Sequence, residues 1–360
     1  MTGPSASAGR RMRVLHLCRP AYDNLGEAAA IASVEPMFAR QGVAIERTAL
    51  DLWDAPDARM LDGRGDEIAE RADLVLIGPG GFLGPRLIDR VFADPAGWSR
   101  LKTPIAFAGA GVVASIGRPV WYAALDQGAP VMRALAAAAA VGVREAGSWL
   151  LAARALGDRQ DRLTLAGCPS IPTARAEPAP AKTHDLALEL PFTHEVCRNH
   201  VAAMLDLARA VRATGRSVRW VCHSQLDEEQ AVGVNARLGL GFDVIRPRDA
   251  AEAGLAYGAC RAGLVTRFHA GLFCLAGDVP FGMVGYDVKC WRLMAMLADE
   301  PHAYVLPIDR LAAMDLGAEV PALLERLARG ATSFATAEAL LRGYFERETD
   351  RFVARVLAAV

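Results

Sequence analysis

Short apolar runs alternate with longer helical stretches along most of the chain, and this alternation limits the fold more than any other feature. Most of the runs are apolar almost throughout, as expected for strands that are covered on both faces. Such strands, separated by helices, are typical of parallel α/β units. The pattern predicts strands at residues 12–17, 44–50, 73–78, 104–108, 140–144, 163–166, 185–190, 217–222, 242–246, 263–266 and 280–284.

Helical spacing of apolar residues fills the intervals between these strands. It predicts helices at residues 27–41, 121–138, 194–214, 228–238, 250–258, 269–275 and 288–297, and helical structure over 320–360.

A proline-containing break at residues 172–184 divides the pattern into two halves. A length of 360 residues also suggests about two domains. We therefore predict two doubly wound α/β domains that face each other across a cleft, with ligands at the carboxyl ends of the strands. The predicted parts are a flexible leader (1–11), an N-terminal domain (12–171), a linker (172–184), a C-terminal domain (185–330) and a C-terminal helix (331–360).

The charge balance bears on what the chain binds. It has 40 basic and 41 acidic residues and a net charge of -1, so no overall positive field attracts nucleic acid or an anionic membrane. Any anion must instead be bound by a few placed cations and backbone amides.

The seven cysteines form no Cys-x-x-Cys pair, and the histidines show no metal-ligand spacing. We therefore expect neither a metal site nor a resident cofactor. Scattered thiols fit a reducing compartment. The chain also lacks a secretory h-region and an apolar stretch of roughly 18 residues, so we expect a cytoplasmic protein with no transmembrane segment.

Polar residues follow the first predicted strand. Asn24 and Gly26 suit a tight turn, and Glu27 begins a helix. One interpretation is a substrate loop in which Asn24 donates or accepts hydrogen bonds and Glu27 or Asp23 is a carboxylate base. The alternative is an ordinary turn before a helix whose first turn is acidic.

Two glycine-rich turns follow later strands of the first half. Residues 78–84 include Gly80 and Gly81, and residues 109–112 include Gly111. Glycines at a strand end let the backbone approach a ligand and expose amides to an anion. Each turn also fits a simple strand-to-helix connection.

Arg144 leaves the end of another strand, and Ser148 stands near the start of the next helix. Together they could bind a phosphate or a carboxylate. Arg144 could equally pair with Glu145 or cap a neighbouring helix.

The most specific signal is Thr266-Arg267-Phe268-His269, where a strand ends in an arginine and a histidine opens a helix. Arg267 could hold an oxyanion with a bidentate fork, and His269 could donate a proton to a substrate. The alternative is a structural salt bridge and a capping histidine.

Two further positions could line the cleft from the second half. Lys289 follows a strand as a second cation, and Asp287 could cap its helix. His223 also follows a strand. No Gly-x-Ser-x-Gly elbow accompanies it, so a catalytic triad is not predicted.

Taken in order, these motifs resemble the polysaccharide pyruvyl transferase family. The resemblance is carried by Asn24-Leu25-Gly26-Glu27, Gly78-Pro79-Gly80-Gly81, Gly109-Ala110-Gly111, Arg144 with Ser148, Gly167-Cys168-Pro169-Ser170, Thr266-Arg267-Phe268-His269 and Tyr286-Asp287-Val288-Lys289.

This resemblance implies two Rossmann-like domains arranged as in GT-B glycosyltransferases, with the acceptor on the N-terminal side and the donor on the C-terminal side. It implies transfer of a pyruvyl group from phosphoenolpyruvate to two hydroxyls of a sugar, glycan or glycolipid, as a ketal. Arg267 and His269 match the family's donor-binding Arg-x-His, with the histidine as general acid. Arg144 and Lys289 match positions that support the donor's phosphate and carboxylate.

Two positions depart from the family's usual residues. Glu27 stands where aspartate is usual, and Pro79 interrupts a fuller glycine run. Both concern the acceptor side, so a non-polysaccharide acceptor stays open.

Two other functions compete with this interpretation: a GT-B glycosyltransferase with a nucleotide-sugar donor, and a diverged member that binds ligand without pyruvyl transfer. The sequence leaves the oligomeric state, including a homo-oligomer, open.

Overall fold

Two parallel six-stranded sheets form the framework of the protein. The computed structural model describes residues 10–19, 23–51, 71–83, 101–112, 130–171, 178–194 and 196–360. The part around the first sheet, up to residue 171, is called the first lobe here. The part around the second sheet, from residue 178 to 329, is called the second lobe.

The first sheet has the strand order β2-β1-β3-β4-β5-β6. Its strands are β1 (Arg10–Cys18), β2 (Val43–Asp51), β3 (Leu74–Ile77), β4 (Ile105–Ala110), β5 (Ala140–Val143) and β6 (Leu163–Thr164). Its described helices are α1 (Leu25–Ala32), α2 (Val34–Ala39), α3 (Pro130–Ala137) and α4 (Ala146–Leu156). Strands β3, β4 and β5 are buried at every residue, whereas the edge strand β2 is mostly not. This is the burial expected of a sheet with helices on both faces.

The second sheet has the order β12-β11-β10-β7-β8-β9. Its strands are β7 (His184–Glu189), β8 (Val218–Val221), β9 (Asp243–Ile245), β10 (Cys260–Val265), β11 (Phe281–Gly285) and β12 (Val305–Pro307). Its helices are α5 (Val201–Ala213), α6 (Gln225–Leu238), α7 (Ala250–Gly258), α8 (Phe268–Ala276), α9 (Val288–Ala295) and α10 (Leu316–Arg329). The prediction of an α/β fold with two Rossmann-like sheets is therefore confirmed.

The strand order reverses between β1 and β3 in the first sheet and between β7 and β10 in the second. In open parallel sheets, ligands bind beyond the carboxyl ends of the strands at such reversals. The loops after β1 and β10 contain Asn24 and Arg267, respectively. The topology therefore places the two most specific motifs at the position where a ligand is expected.

The last helix, α11 (Ala331–Ala359), spans both lobes. Phe334 packs against Phe281 and Tyr304 of the second lobe, and Phe345 lies against Gly167 of the first lobe. Phe352 packs with Val14 and Phe38 of the first lobe. The helix therefore returns the chain to the first sheet and joins the two cores.

All eleven predicted strands are present, but some element boundaries and breaks differ. The first strand begins at Arg10, because the ladder with β2 starts with the pair Arg10 and Val43. Residues 10 and 11 therefore belong to the strand and not to the predicted leader, whose residues 1–9 lie outside the described part. His184, placed in the linker, is the first residue of β7, and residues 172–177 are likewise outside the described part.

Two predicted helices are interrupted. The helix expected over 27–41 breaks at Ser33, because Pro36 has no backbone N–H to continue the helical ladder. The C-terminal helical region starts at Leu316 and breaks at Gly330. The helix predicted over 121–138 is described only for Pro130–Ala137. Strand β12 was not predicted, because Pro307 interrupts its short apolar run. Among the described helices, none is long and apolar enough to cross a membrane.

One buried carboxyl group on α11 stands out. Glu338 is 0% exposed, and neither of its oxygens accepts a hydrogen bond from a described residue. Burial, and then the charge of Asp278, raise the pKa of Glu338 to about 9, against the opposing charges of Arg342 and Lys182. The folded protein therefore holds this proton more tightly than the unfolded chain does.

We predict that Glu338→Gln raises the free energy of unfolding at pH 8 by roughly 1–3 kcal/mol, because the wild type must bury a charge or retain a proton there. The advantage should shrink toward pH 5, since a raised folded-state pKa reduces stability only above the unfolded-state pKa. Urea denaturation at both pH values measures the difference. The exposed Glu346→Gln on the same helix is the control, and a pH-independent effect of Glu338→Gln would contradict the prediction.

Candidate functional site

The turn after β1 belongs to the first lobe and contacts the second lobe. Asn24 caps α1, since its Oδ1 accepts hydrogen bonds from the amides of Gly26 (3.0 Å) and Glu27 (3.4 Å). The Leu25 amide donates to the carbonyl of His223 (2.9 Å) in the second lobe. Asn24 therefore caps α1, a role that the sequence analysis did not assign, within the ordinary turn that the alternative interpretation described. The same turn contacts the opposite lobe.

Close packing against Gly26 follows from that contact. A Cβ atom on Gly26 would lie 2.3 Å from Cβ and 2.4 Å from Cγ of His269. No side chain can occupy that position without displacing the imidazole. The first turn of α1 therefore lies directly on His269 of the second lobe.

The two glycine turns of the first lobe are hydrogen-bonded to each other. The Gly111 amide donates to the Gly80 carbonyl at 2.8 Å. Gly80 has a φ of +134°, which only glycine adopts readily. An added Cβ on Gly80 would also lie 3.0 Å from the Phe82 ring and 3.8 Å from Glu27 Oε2. Gly80 and the adjacent Gly81 thus lie near Glu27, whereas Gly84 falls outside the described residues.

Arg144 stands at the carboxyl end of β5 and is only 3% exposed. Its guanidinium lies over the Phe268 ring of the second lobe, with Cζ 4.8 Å from the ring centroid. Its Nε atom is buried without a hydrogen-bond partner, and no carboxylate of the described residues forms an ion pair with it. Arg144 therefore presents a positive charge between the lobes that is in ion-pair contact with no described carboxylate.

Ser148 has a structural role. Its hydroxyl donates to the Glu145 carboxylate and accepts from the Val112 amide at 2.8 Å. Glu145 also accepts from the backbone amides of Gly147 (2.7 Å) and Ser148 (2.9 Å), which caps α4. The hydroxyl of Ser148 already has both of these partners, so the predicted contact with a substrate would require one of them to be given up.

Arg267 is also paired within the protein. Its guanidinium contacts Glu189 Oε1 at 2.6 Å and Asp227 Oδ2 at 2.9 Å, and all three groups are buried. Its amide donates to Glu189 Oε2 at 2.8 Å. Burial alone would lower the pKa of Arg267, but the two carboxylates raise it above its usual range. The geometry thus corresponds to the salt-bridge alternative, and a bidentate grip on a donor would compete with two carboxylates.

His269 lies at the centre of the positive groups. It is 7% exposed, and its Nε2 atom has no hydrogen-bond partner among the described residues. Burial lowers its pKa well below the usual range, and the charges of Arg144, Lys289, His223 and Arg267 lower it further. In this state the imidazole is neutral near pH 7, and its buried Nε2 is available to a ligand.

Lys289 adds a cation from α9 of the second lobe. Its Nζ lies 5.0 Å from the centroid of the Tyr286 ring and 3.9 Å from Asp287 Oδ2. Asp287 caps α9, because its Oδ1 accepts a hydrogen bond from the Lys289 amide at 3.0 Å. Capping by Asp287 is as the sequence predicted, and the lysine side chain is directed over an aromatic ring.

Glu27 and His223 complete the group of predicted residues. Burial raises the pKa of Glu27 above its usual range, against the charges of Arg144, Arg19 and Lys289. His223 bonds Tyr257 Oη through Nε2 at 2.8 Å. Burial, and then the charge of Arg267, lower the pKa of His223 to about 3. The His223 imidazole is thus uncharged near pH 7, and its backbone carbonyl accepts a hydrogen bond from the Leu25 amide.

The structure brings together Glu27, Arg144, His269 and Lys289, and assigns internal partners to Asn24, Ser148 and Arg267. Sequence reasoning missed Glu189, Asp227 and Arg292. Glu189 had a signal, since it is an acidic residue inside an apolar strand. Arg292 had none, because its partner Glu145 is distant in sequence and belongs to the other lobe.

A cavity of about 560 Å³ lies elsewhere, at the amino ends of β4 and β5, beside Thr103, Arg133 and Arg159. Ligands of parallel α/β sheets bind at the opposite, carboxyl edge. We therefore place the candidate site at the contact between the lobes.

The sequence profile of the polysaccharide pyruvyl transferase family matches residues 24–288, which include every predicted site residue except Lys289 and the alternative base Asp23. The chain belongs to the polysaccharide pyruvyl transferase family. The family is one of transferases, so the protein is assigned to a class of enzymes. No curated protein sequence matches this pyruvyl transferase family member.

Solved structures share the fold of this pyruvyl transferase family member at low sequence identity. Staphylococcus aureus MnaA, solved with UDP, is 11% identical, with a TM-score of 0.57 and coverage of 91% of each chain. Anabaena HepE, solved with UDP and glucose, is 13% identical, with a TM-score of 0.56 over 97% of this chain and 100% of its own. UDP-GlcNAc 2-epimerase of Neisseria meningitidis, bound to UDP-GlcNAc, is 12% identical, with a TM-score of 0.50 over 92% and 99% of the chains. These likenesses show a shared GT-B-like architecture.

We predict that Arg267→Met lowers the free energy of unfolding by about 3–5 kcal/mol, because two buried carboxylates lose their counter-charge. Urea denaturation measures this loss. The control is Arg209→Gln, which removes an exposed pair with Asp206 and should change stability by less than about 1 kcal/mol. A stable Arg267→Met protein that no longer binds anions would instead favour Arg267 as a donor ligand.

Proposed function

We propose that this protein transfers a pyruvyl group from phosphoenolpyruvate to a sugar or glycan acceptor, where it forms a ketal with two hydroxyls. The observation that carries the proposal is the environment of His269: a buried imidazole with an unpartnered Nε2, surrounded by Arg144, Lys289 and Arg267. Membership of the pyruvyl transferase family supports the same reaction.

The charges favour a small anion with two acidic groups. The charge of Arg267 is matched by Glu189 and Asp227, whereas Arg144 has no described carboxylate partner and Lys289 lies 3.9 Å from Asp287. We therefore assign the phosphate and the carboxylate of the donor to Arg144 and Lys289. Arg267 then acts as a positioning residue, since its ion pairs fix the turn that carries His269.

In the proposed reaction the bound donor's negative charge raises the pKa of His269, and the protonated imidazole transfers its Nε2 proton to the methylene carbon of phosphoenolpyruvate. This leaves a cationic centre at C2. An acceptor hydroxyl attacks this carbon and loses its proton to a base. A second hydroxyl then attacks C2 as the C–O bond to the phosphate breaks. The phosphate leaves with the electron pair of that bond and takes up the proton of the second hydroxyl. Glu27 is the proposed base, because burial raises its pKa toward neutral pH, and a base whose pKa lies near the working pH accepts a proton most effectively. Gly80, Gly81 and Gly111 line the acceptor side.

Replacement of His269 by Ala tests this assignment directly. Turnover of phosphoenolpyruvate with the acceptor should fall about 10²–10⁴-fold, the usual contribution of a general acid.

Arg144→Gln and Lys289→Gln should each weaken phosphoenolpyruvate binding about 10–100-fold, since each removes a charge-assisted contact. Calorimetry compares phosphoenolpyruvate with UDP, and binding of UDP alone would favour a nucleotide-sugar glycosyltransferase. Phosphoenolpyruvate binding without turnover on any acceptor would favour a binding protein.

The depressed pKa of His269 predicts that donor binding takes up protons. A bound anion offsets the repulsion from Arg144 and Lys289, so the pKa of His269 should rise in the complex. At about pH 7.5 the donor phosphate is already ionised, since its second pKa is near 6. Calorimetry in buffers of different ionisation enthalpy should show uptake in the wild type and less in His269→Asn. Equal uptake in both would exclude His269 as the acceptor of this proton.

A further inference from the structure

An ion pair between Arg292 and Glu145 links the two segments that carry the cations of the proposed donor site. Arg292 lies on α9, one turn after Lys289, and its Nη1 is 3.3 Å from Glu145 Oε2. Glu145 is adjacent in sequence to Arg144 and is 0% exposed, and the Arg292 side chain is 19% exposed. Thus the helix that carries one proposed donor cation contacts the turn that carries the other.

Glu145 is also connected, through hydrogen bonds of Ser148, to the glycine turn of the first lobe. Its carboxylate accepts a hydrogen bond from the Ser148 hydroxyl, and the oxygen of that hydroxyl accepts one from the Val112 amide at 2.8 Å. Val112 directly follows Gly111, and a Cβ on Gly111 would lie 2.0 Å from Arg144 Nε. The Arg144 side chain is therefore packed against a turn that the Glu145 network fixes.

Gly147 leaves the space that the Arg292 guanidinium occupies. A Cβ on Gly147 would lie 2.0 Å from Arg292 Cζ and 2.1 Å from Nη1. Gly147 lies within the first turn of α4, where alanine is a better helix former than glycine. The absence of a side chain here serves the interlobe contact at the expense of helix propensity.

We propose that the Arg292–Glu145 pair is an interlobe positioning contact that sets the separation of Lys289 and Arg144 and so tunes the site for one small dianionic or trianionic donor. This inference rests on the proposed function. Neither residue is assigned a contact with the substrate. The two cations belong to different lobes, so their joint attraction for a single anion depends on how the lobes are held.

Gly147→Ala is the sharpest test, because it displaces the guanidinium and removes no charge. We expect it to weaken phosphoenolpyruvate binding about tenfold, equivalent to roughly 1.4 kcal/mol. Arg292→Gln should weaken binding at least as much, and Arg292→Lys should restore most of the affinity. In turnover, the loss should appear mainly in KM rather than in kcat, because both proposed reacting groups, His269 and Glu27, remain. The matched control is Arg209→Gln, which removes a surface arginine from the same lobe and should bind like the wild type.

Small-angle scattering of the unliganded proteins gives a second readout that needs no substrate. Gly147→Ala and Arg292→Gln should have a larger radius of gyration than the wild type and Arg209→Gln. Wild-type affinity and compactness in Gly147→Ala would overturn the proposal. If the wild type itself fails to bind phosphoenolpyruvate, the proposed function is wrong, and the scattering alone decides whether the pair holds the lobes together.

Discussion

The contact of Gly26 with the imidazole of His269 is the constraint on which the site depends. It requires that the first turn of α1 carries no side chain at this position, and it brings both topological reversals of the fold to one place. The Leu25 amide and the His223 carbonyl hold the same contact from the backbone. A site formed in this way belongs to neither lobe alone, and its cations come from both.

Much of the fold could be predicted from the sequence, because buried parallel strands are apolar over their whole length. The run at Leu74–Ile77 is recognisable without any tertiary information. Strand β12 was not, since Pro307 ends its apolar run and a proline argues against a strand. The break at Ser33 was missed for a different reason: the apolar spacing continues across it, and only Pro36 in the second helix marks the interruption.

The sequence predicted which residues lie at the site better than it predicted the role of each one. A strand that ends in arginine before a histidine indicates an anion site, but the motif cannot tell whether the arginine has a partner. The partners of Arg267 are 78 and 40 residues away in sequence. Glu189 could have been suspected as a charge inside an apolar strand. The structure favours Arg144 as a donor ligand, because its guanidinium lies over the Phe268 ring and forms no ion pair with a described carboxylate.

A crystal structure with phosphoenolpyruvate would test the central claim most directly. We expect the ligand to lie between the lobes, with its two acidic groups on Arg144 and Lys289 and its methylene carbon facing His269 Nε2. Arg267 should keep its ion pairs with Glu189 and Asp227. A ligand bound at Arg267 with those ion pairs broken, or one bound away from the contact between the lobes, would contradict it.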